Sequence, residues 1–126
     1  MMSEEKLGKR ERQDLSVRTK EFALRVIRLY CALPKTTEAQ VLGKQVLRSG
    51  TSVGAHYREA MRARSVAEFI SKIEGGLQEL EETSYWLELL AEAGIVPRTR
   101  LAELYKEANE LTAILVSSVR TAKQRR

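Results

Sequence analysis

Residues 65–94 read SVAEFISKIEGGLQELEETSYWLELLAEAG, and their spacing decides the fold class. Phe69, Ile73, Gly76, Leu80 and Leu87 recur at intervals of three, four and seven, the period of a single apolar helical face. Ser65 and Glu68 form S-x-x-E, a capping box in which both side chains satisfy free backbone N–H groups at a helix start. Gly94 is the residue most easily placed in the left-handed conformation that closes a helix. The stretch therefore predicts a helix from Ser65 to about Ala93.

The same period extends outward on both sides. Upstream, Thr37 and Gln40 make a T-x-x-Q box, and Leu42, Val46, Val53, Tyr57 and Ala60 line a helix running to about Arg62. Its connection to the next helix is so short that the two must be antiparallel neighbours. A first helix starts at Asp14, carries Leu15, Phe22, Val26, Ile27, Tyr30 and Leu33 on one face, and ends at Pro34. A fourth follows Pro97 with Leu101, Leu104, Tyr105, Ala108, Leu111, Leu115 and Val119. No strand pattern or internal repeat occurs in the sequence.

The expected architecture is all-α, an antiparallel up-down-up-down four-helix bundle over residues 14–123. Residues 1–13 are expected to be a disordered or frayed basic N-terminus, and residues 124–126 a basic tail. The expected core includes Phe22, Val26, Tyr30, Leu42, Val46, Val53, Phe69, Ile73, Leu80, Leu87, Leu104, Leu111 and Leu115. A chain of 126 residues can bury such a core without a disulfide or metal.

Two polar stripes adjoin the apolar faces of the middle helices. At about 100° per residue, Gln45, Arg48, Ser49, Ser52, His56 and Glu59 fall on one stripe, and Glu68, Lys72, Gly75, Glu79, Glu82 and Trp86 on the other. Antiparallel pairing about residues 63 and 64 brings Arg48 near Glu79 or Glu82, Ser52 near Gly76, and Glu59 near Lys72. Gln45, Arg48, Ser52, His56, Glu59, Lys72, Glu79 and Glu82 are thus expected to form a structural polar network that fixes register, because a half-buried charge needs a partner. Gly75 and Gly76 each cost a helix interior roughly 1 kcal/mol against alanine, so a close approach of the preceding helix is expected there, with a kink as the alternative.

The net charge of +5 is unevenly distributed. Residues 1–64 carry 14 Lys/Arg against 7 Asp/Glu, residues 65–97 carry Lys72 against seven glutamates, and residues 98–126 carry 7 basic against 3 acidic groups. Basic flanks around an acidic middle can attract a polyanion, or simply attract each other as neighbouring helices. Candidate nucleic-acid contacts are Lys9, Arg10, Arg12, Arg18, Arg25, Arg28, Lys123, Arg125 and Arg126. Glu21 lies four residues before Arg25, so part of that face can instead be a salt-bridged solvent surface.

The run QVLRSGTSVGAHYREAMRARSVAEFISKIEGGLQELEETSYWLELLAEAG resembles the four-helix-bundle proteins encoded in intervening sequences of bacterial 23S ribosomal RNA genes. The likeness spans about Phe22 to Lys123 and rests on Q-x-x-R-S-x-x-S at Gln45–Ser52, Tyr57-Arg58-Glu59-Ala60, Glu68-Phe69-Ile70-x-Lys72, and Glu82-Thr83-x-Tyr85-Trp86-Leu87. His56 stands where that family usually has asparagine, Gln78 where lysine is common, and Glu74-Gly75-Gly76 where the stretch is more apolar. The resemblance implies a homo-oligomeric, five-fold ring and no established enzymatic activity. The accessory variability protein of diversity-generating retroelements, which works with a reverse transcriptase and its RNA, looks like a distant relative of the same bundle.

Catalysis finds little support in the residues. His56 is the single histidine, so neither a nucleophile–base pair elsewhere nor a di-metal site with two Glu-x-x-His motifs is available. No metal, cofactor or small-molecule substrate is expected, and Cys31 is expected to pack against the core. Charges interrupt every apolar segment and no secretory signal pattern opens the chain, so a cytoplasmic protein without membrane contact is expected. Two non-enzymatic readings remain open: an oligomer that binds RNA or DNA through basic surfaces, and a protein-binding scaffold without nucleic-acid contact.

Overall fold

The computed structural model describes residues 4–125, with side chains from residue 14 onward. Four helices follow in order: α1 (Glu4–Ala32), α2 (Thr37–Met61), α3 (Val66–Glu92) and α4 (Arg98–Gln124), with no strand among the described residues. Helix α1 begins at Glu4, well ahead of Asp14. The intervening residues are mostly Glu, Lys and Arg, which propagate a helix without needing an apolar face. Residues 1–3, Arg126 and the side chains of Lys9, Arg10 and Arg12 lie outside the described residues.

Local chemistry sets the ends of the helices. The cap of α2 is Thr36, one residue before the expected Thr37, and its hydroxyl accepts the Ala39 N–H. Gln40 reaches instead to the Pro34 carbonyl at 2.9 Å and accepts the Tyr30 hydroxyl at 3.1 Å, tying α2 to the end of α1. Ser65 caps α3 by accepting the Glu68 N–H at 3.0 Å, while the Glu68 carboxylate accepts the N–H of Arg64. Gly94, at φ +73°, follows the C-cap Ala93 in the left-handed region.

Helix α2 packs against α1 and most extensively against α3, α3 also packs against α4, and α4 meets α1 only lightly. Gly43 of α2 faces Tyr30 and Leu33, Gly50 faces Val26, and Gly54 faces Thr19, so contacts that ascend α2 descend α1. Across the next seam, Arg48 meets Glu79 and Glu59 meets Lys72, again in opposite order. A Cβ on Gly50 would stand 2.7 Å from Val26, which is fully buried, so the two helices approach more closely there than alanine permits. Gly75 plays the same part for α3: a Cβ would come within 2.9 Å of the His56 ring, and α3 continues through both glycines unbroken.

Phe22, Val26, Val46, Val53, Ile73, Leu80, Leu87, Leu104, Leu111 and Leu115 are buried. Tyr30, Leu42 and Phe69 are only partly buried and flank that cluster. Two expectations are corrected: Cys31 is exposed, and Ile27 is exposed to 39%. The buried line of α1 is Leu15, Phe22, Val26 and Leu33, and Cys31, five residues past Val26, lies about 140° around the helix from it.

Gly50→Val should cost about 1 to 3 kcal/mol by overpacking against Val26, and Leu87→Ala about 2 to 5 kcal/mol by opening a cavity. Urea unfolding of both variants beside the wild type measures these losses.

Candidate nucleic-acid interface

The polar seam between α2 and α3 is held at several levels. Arg48 forms ion pairs with Glu79 (3.3 Å) and with Glu82, and its Nε donates to Gln45 at 3.4 Å. Glu82 also accepts the Trp86 indole N–H at 3.3 Å. Deeper, the buried Thr83 hydroxyl donates to Ser49 Oγ at 2.8 Å, and Ser49 donates to the Gln45 carbonyl at 2.9 Å. Toward the other end, Lys72 pairs with Glu59 at 2.8 Å. Ser52 does not cross the seam, since its hydroxyl donates to the Arg48 carbonyl of its own helix at 2.6 Å. The ring of His56 lies against Gly75, and its Nδ1, buried without a hydrogen-bond partner, does not join the expected network. Sequence reasoning missed the Ser49–Thr83 link, whose signal is a hydroxyl at facing positions on each stripe's buried edge.

The cations proposed from sequence separate into engaged and exposed groups. Arg18 is engaged, with its guanidinium donating to Glu107 at 2.6 and 3.1 Å and to Glu110 at 3.2 Å. This fork ties α1 to α4 across their sparse seam. Hydrogen bonding from Arg18 holds the Glu107 carboxyl below its ordinary range against the opposing effect of burial, with further help from the charge of Arg18. Lys123 reaches Glu74 at 3.8 Å, whereas Arg28 and Arg125 stand exposed and Arg25 is partly buried.

The fold adds residues that sequence reasoning passed over. Arg58, Arg62 and Arg64 end α2 and form its link to α3, and Arg120 lies near the end of α4, where it joins the already proposed Arg125; all are exposed. The Lys123–Glu74 pair places the end of α4 beside the first half of α3, so these arginines share one end of the helices. Nearby carboxylates are already used, Glu59 by Lys72, Glu74 by Lys123 and Glu68 by the Arg64 N–H. The signal was present in the helix order, because consecutive helices returning on one another collect the end of α2, the start of α3 and the end of α4 at one place. The arrangement places several exposed guanidinium groups, a chemistry suited to phosphate oxygens, toward one end of the helices.

Residues 11–117 match the family described as 23S rRNA-intervening sequence protein. The chain belongs to that family. A crystal structure of a protein of unknown function from the S23 ribosomal protein family of Bacteroides thetaiotaomicron is similar to it, at 38% identity and a TM-score of 0.82, over 86% of this chain and 97% of the other. No curated protein matches the chain. Among the described residues of this 23S rRNA-intervening sequence protein, no His/Cys/Asp/Glu cluster is arranged to hold a metal ion, and no helix is long and apolar enough to cross a membrane.

Because the Glu107 carboxyl is depressed only in the folded protein, the Arg18–Glu107 pair stabilises the fold above the unfolded carboxylate range. Its contribution is lost as the pH falls through the depressed folded value. Glu107→Gln should therefore lower the thermal midpoint at pH 7, and the gap to wild type should shrink by pH 3. Paired melts at the two pH values check this.

Proposed function

We propose that this 23S rRNA-intervening sequence protein is a non-enzymatic, oligomeric RNA-binding module of the cytoplasm. Its helices run up-down-up-down, and copies assemble as a homopentameric ring that repeats the basic end around an axis. The observation that carries the reading is the cluster of exposed arginines at the α2–α3 turn and the end of α4, where the neighbouring carboxylates already have partners. Residues 9–12 of α1, which bear Lys9, Arg10 and Arg12, belong to the helical turns that run toward the same end. The family description, which refers to 23S rRNA, supports RNA as the polyanion.

Guanidinium clusters bind phosphate backbones without reading bases, so affinity should be set by counterion release. Arg18 contributes through structure instead, as its donors are committed to Glu107 and Glu110. The alternative is a protein-binding scaffold that makes no nucleic-acid contact, with its charge serving solubility alone.

Gel-shift titration with a 23S rRNA fragment and a DNA duplex across a salt series tests the proposal. Wild type should bind at low salt with a steep loss of affinity as salt rises. The Arg62→Gln, Arg64→Gln double variant should weaken binding and flatten the log–log slope by roughly two, about one per phosphate contact removed. No binding at low salt favours the scaffold.

A further inference from the structure

Helix α2 turns one face directly away from the core, and that face is cationic. Lys44 lies nine residues before the fully buried Val53 and Arg62 nine residues after it, each about 180° around the helix from it. Thr51, Ala55 and Arg58 fall on the same outward arc, so Lys44 and Arg62 mark the ends of a straight stripe about 27 Å long. Lys44, Arg58 and Arg62 are exposed, and none is paired with a carboxylate among the described residues. Residues 39–64 contain five Lys/Arg and a single carboxylate, Glu59, which Lys72 engages at 2.8 Å.

Neither neighbouring helix screens the stripe. Along the α3 edge, Glu79 and Glu82 are taken by Arg48. Along the α1 edge, Thr19, Val26 and Tyr30 face α2, and the next positions outward are the uncharged Ser16, Ala23 and Ile27. Thr51 and Ala55, between the two cationic ends, have short side chains, so a bulky partner can lie flat along the helix. No aromatic ring of α2 reaches this face, because Tyr57 is buried and the His56 ring is turned against Gly75. Beyond Lys44 the stripe ends at Val41, an apolar side chain 56% exposed.

We propose that the outward face of α2, from Lys44 through Arg58 to Arg62, is a track for the phosphate backbone of an RNA duplex. This rests on the RNA-binding reading above and extends its surface from the end of the helices along α2. A straight, convex helix face without stacking platforms suits a stiff rod of phosphates, whereas unpaired strands are held through aromatic rings in a groove. The cations meet phosphate oxygens and no base edge, so the track fixes where the duplex lies without reading its sequence.

Gel shift of the full chain with an RNA duplex longer than the track, across a salt series, tests the assignment. Lys44→Gln and Arg58→Gln should each weaken binding and flatten the log–log salt slope by about one. Arg100→Gln, which removes an exposed cation at the start of α4, should leave affinity and slope at their wild-type values. All three positions are exposed, and circular dichroism should show wild-type helicity for each variant. Lys44→Gln and Arg58→Gln proteins that bind as Arg100→Gln does overturn the track. Loss of affinity in the Arg62→Gln, Arg64→Gln variant then leaves RNA binding at the end of the helices standing. Tighter binding of the separated single strand than of the duplex overturns the duplex as occupant. A wild type that binds no RNA at low salt overturns the track and the RNA-binding reading together.

Discussion

Where α2 lies against α1 there is no room for a methyl group. Gly50 meets the buried Val26 at a separation that any Cβ would violate, and Gly43 faces the Leu33 side chain as closely. Close packing of this kind fixes the axial position of one helix against another, because a shift of a single residue would bring a side chain into the gap. Helix α2 is thereby locked to α1 on one side, and α3 accepts the His56 ring at Gly75 on the other. Everything that depends on register, from the Arg48 ion pairs to the placing of basic residues at one end, follows from α2 having a definite height against both neighbours.

Most of the helical framework was legible in the sequence, since period, capping residues and breakers agreed over long segments. Ser65, Gly94 and Pro97 mark boundaries that side-chain chemistry alone can fix. Thr36 and Thr37 are adjacent and chemically equivalent as caps, so the choice between them depended on the approach of Gln40 to Pro34 and Tyr30, a tertiary contact. The exposure of Cys31 is not legible in its proximity to an apolar face, because the buried line of α1 is narrow. His56 resisted reading for another reason: its place is set by the absence of a side chain at Gly75, which no pattern of polar residues encodes.

Charge on this surface divides into cations that hold the fold and cations left for other uses. Arg18, Arg48 and Lys72 each bridge two helices, while Arg58, Arg62, Arg64, Arg120 and Arg125 gather at one end. A tally of Lys and Arg along the chain cannot make this division, because the partner carboxylates lie as far as 92 residues away. An exposed ion pair contributes little stability by itself. The value of the bridging pairs lies in rejecting other registers, since a slip would leave half-buried charges without their partners.

The four seams of this fold are unequal, and the light contact between α1 and α4 makes the bundle more a strip of three joined seams than a closed cylinder. Parting α4 from α1 at the Arg18 fork breaks far less helix–helix contact than parting α2 from α3. Of the four seams, this edge is the one at which sub-global opening meets the least resistance, while α4 stays held by its extensive seam with α3.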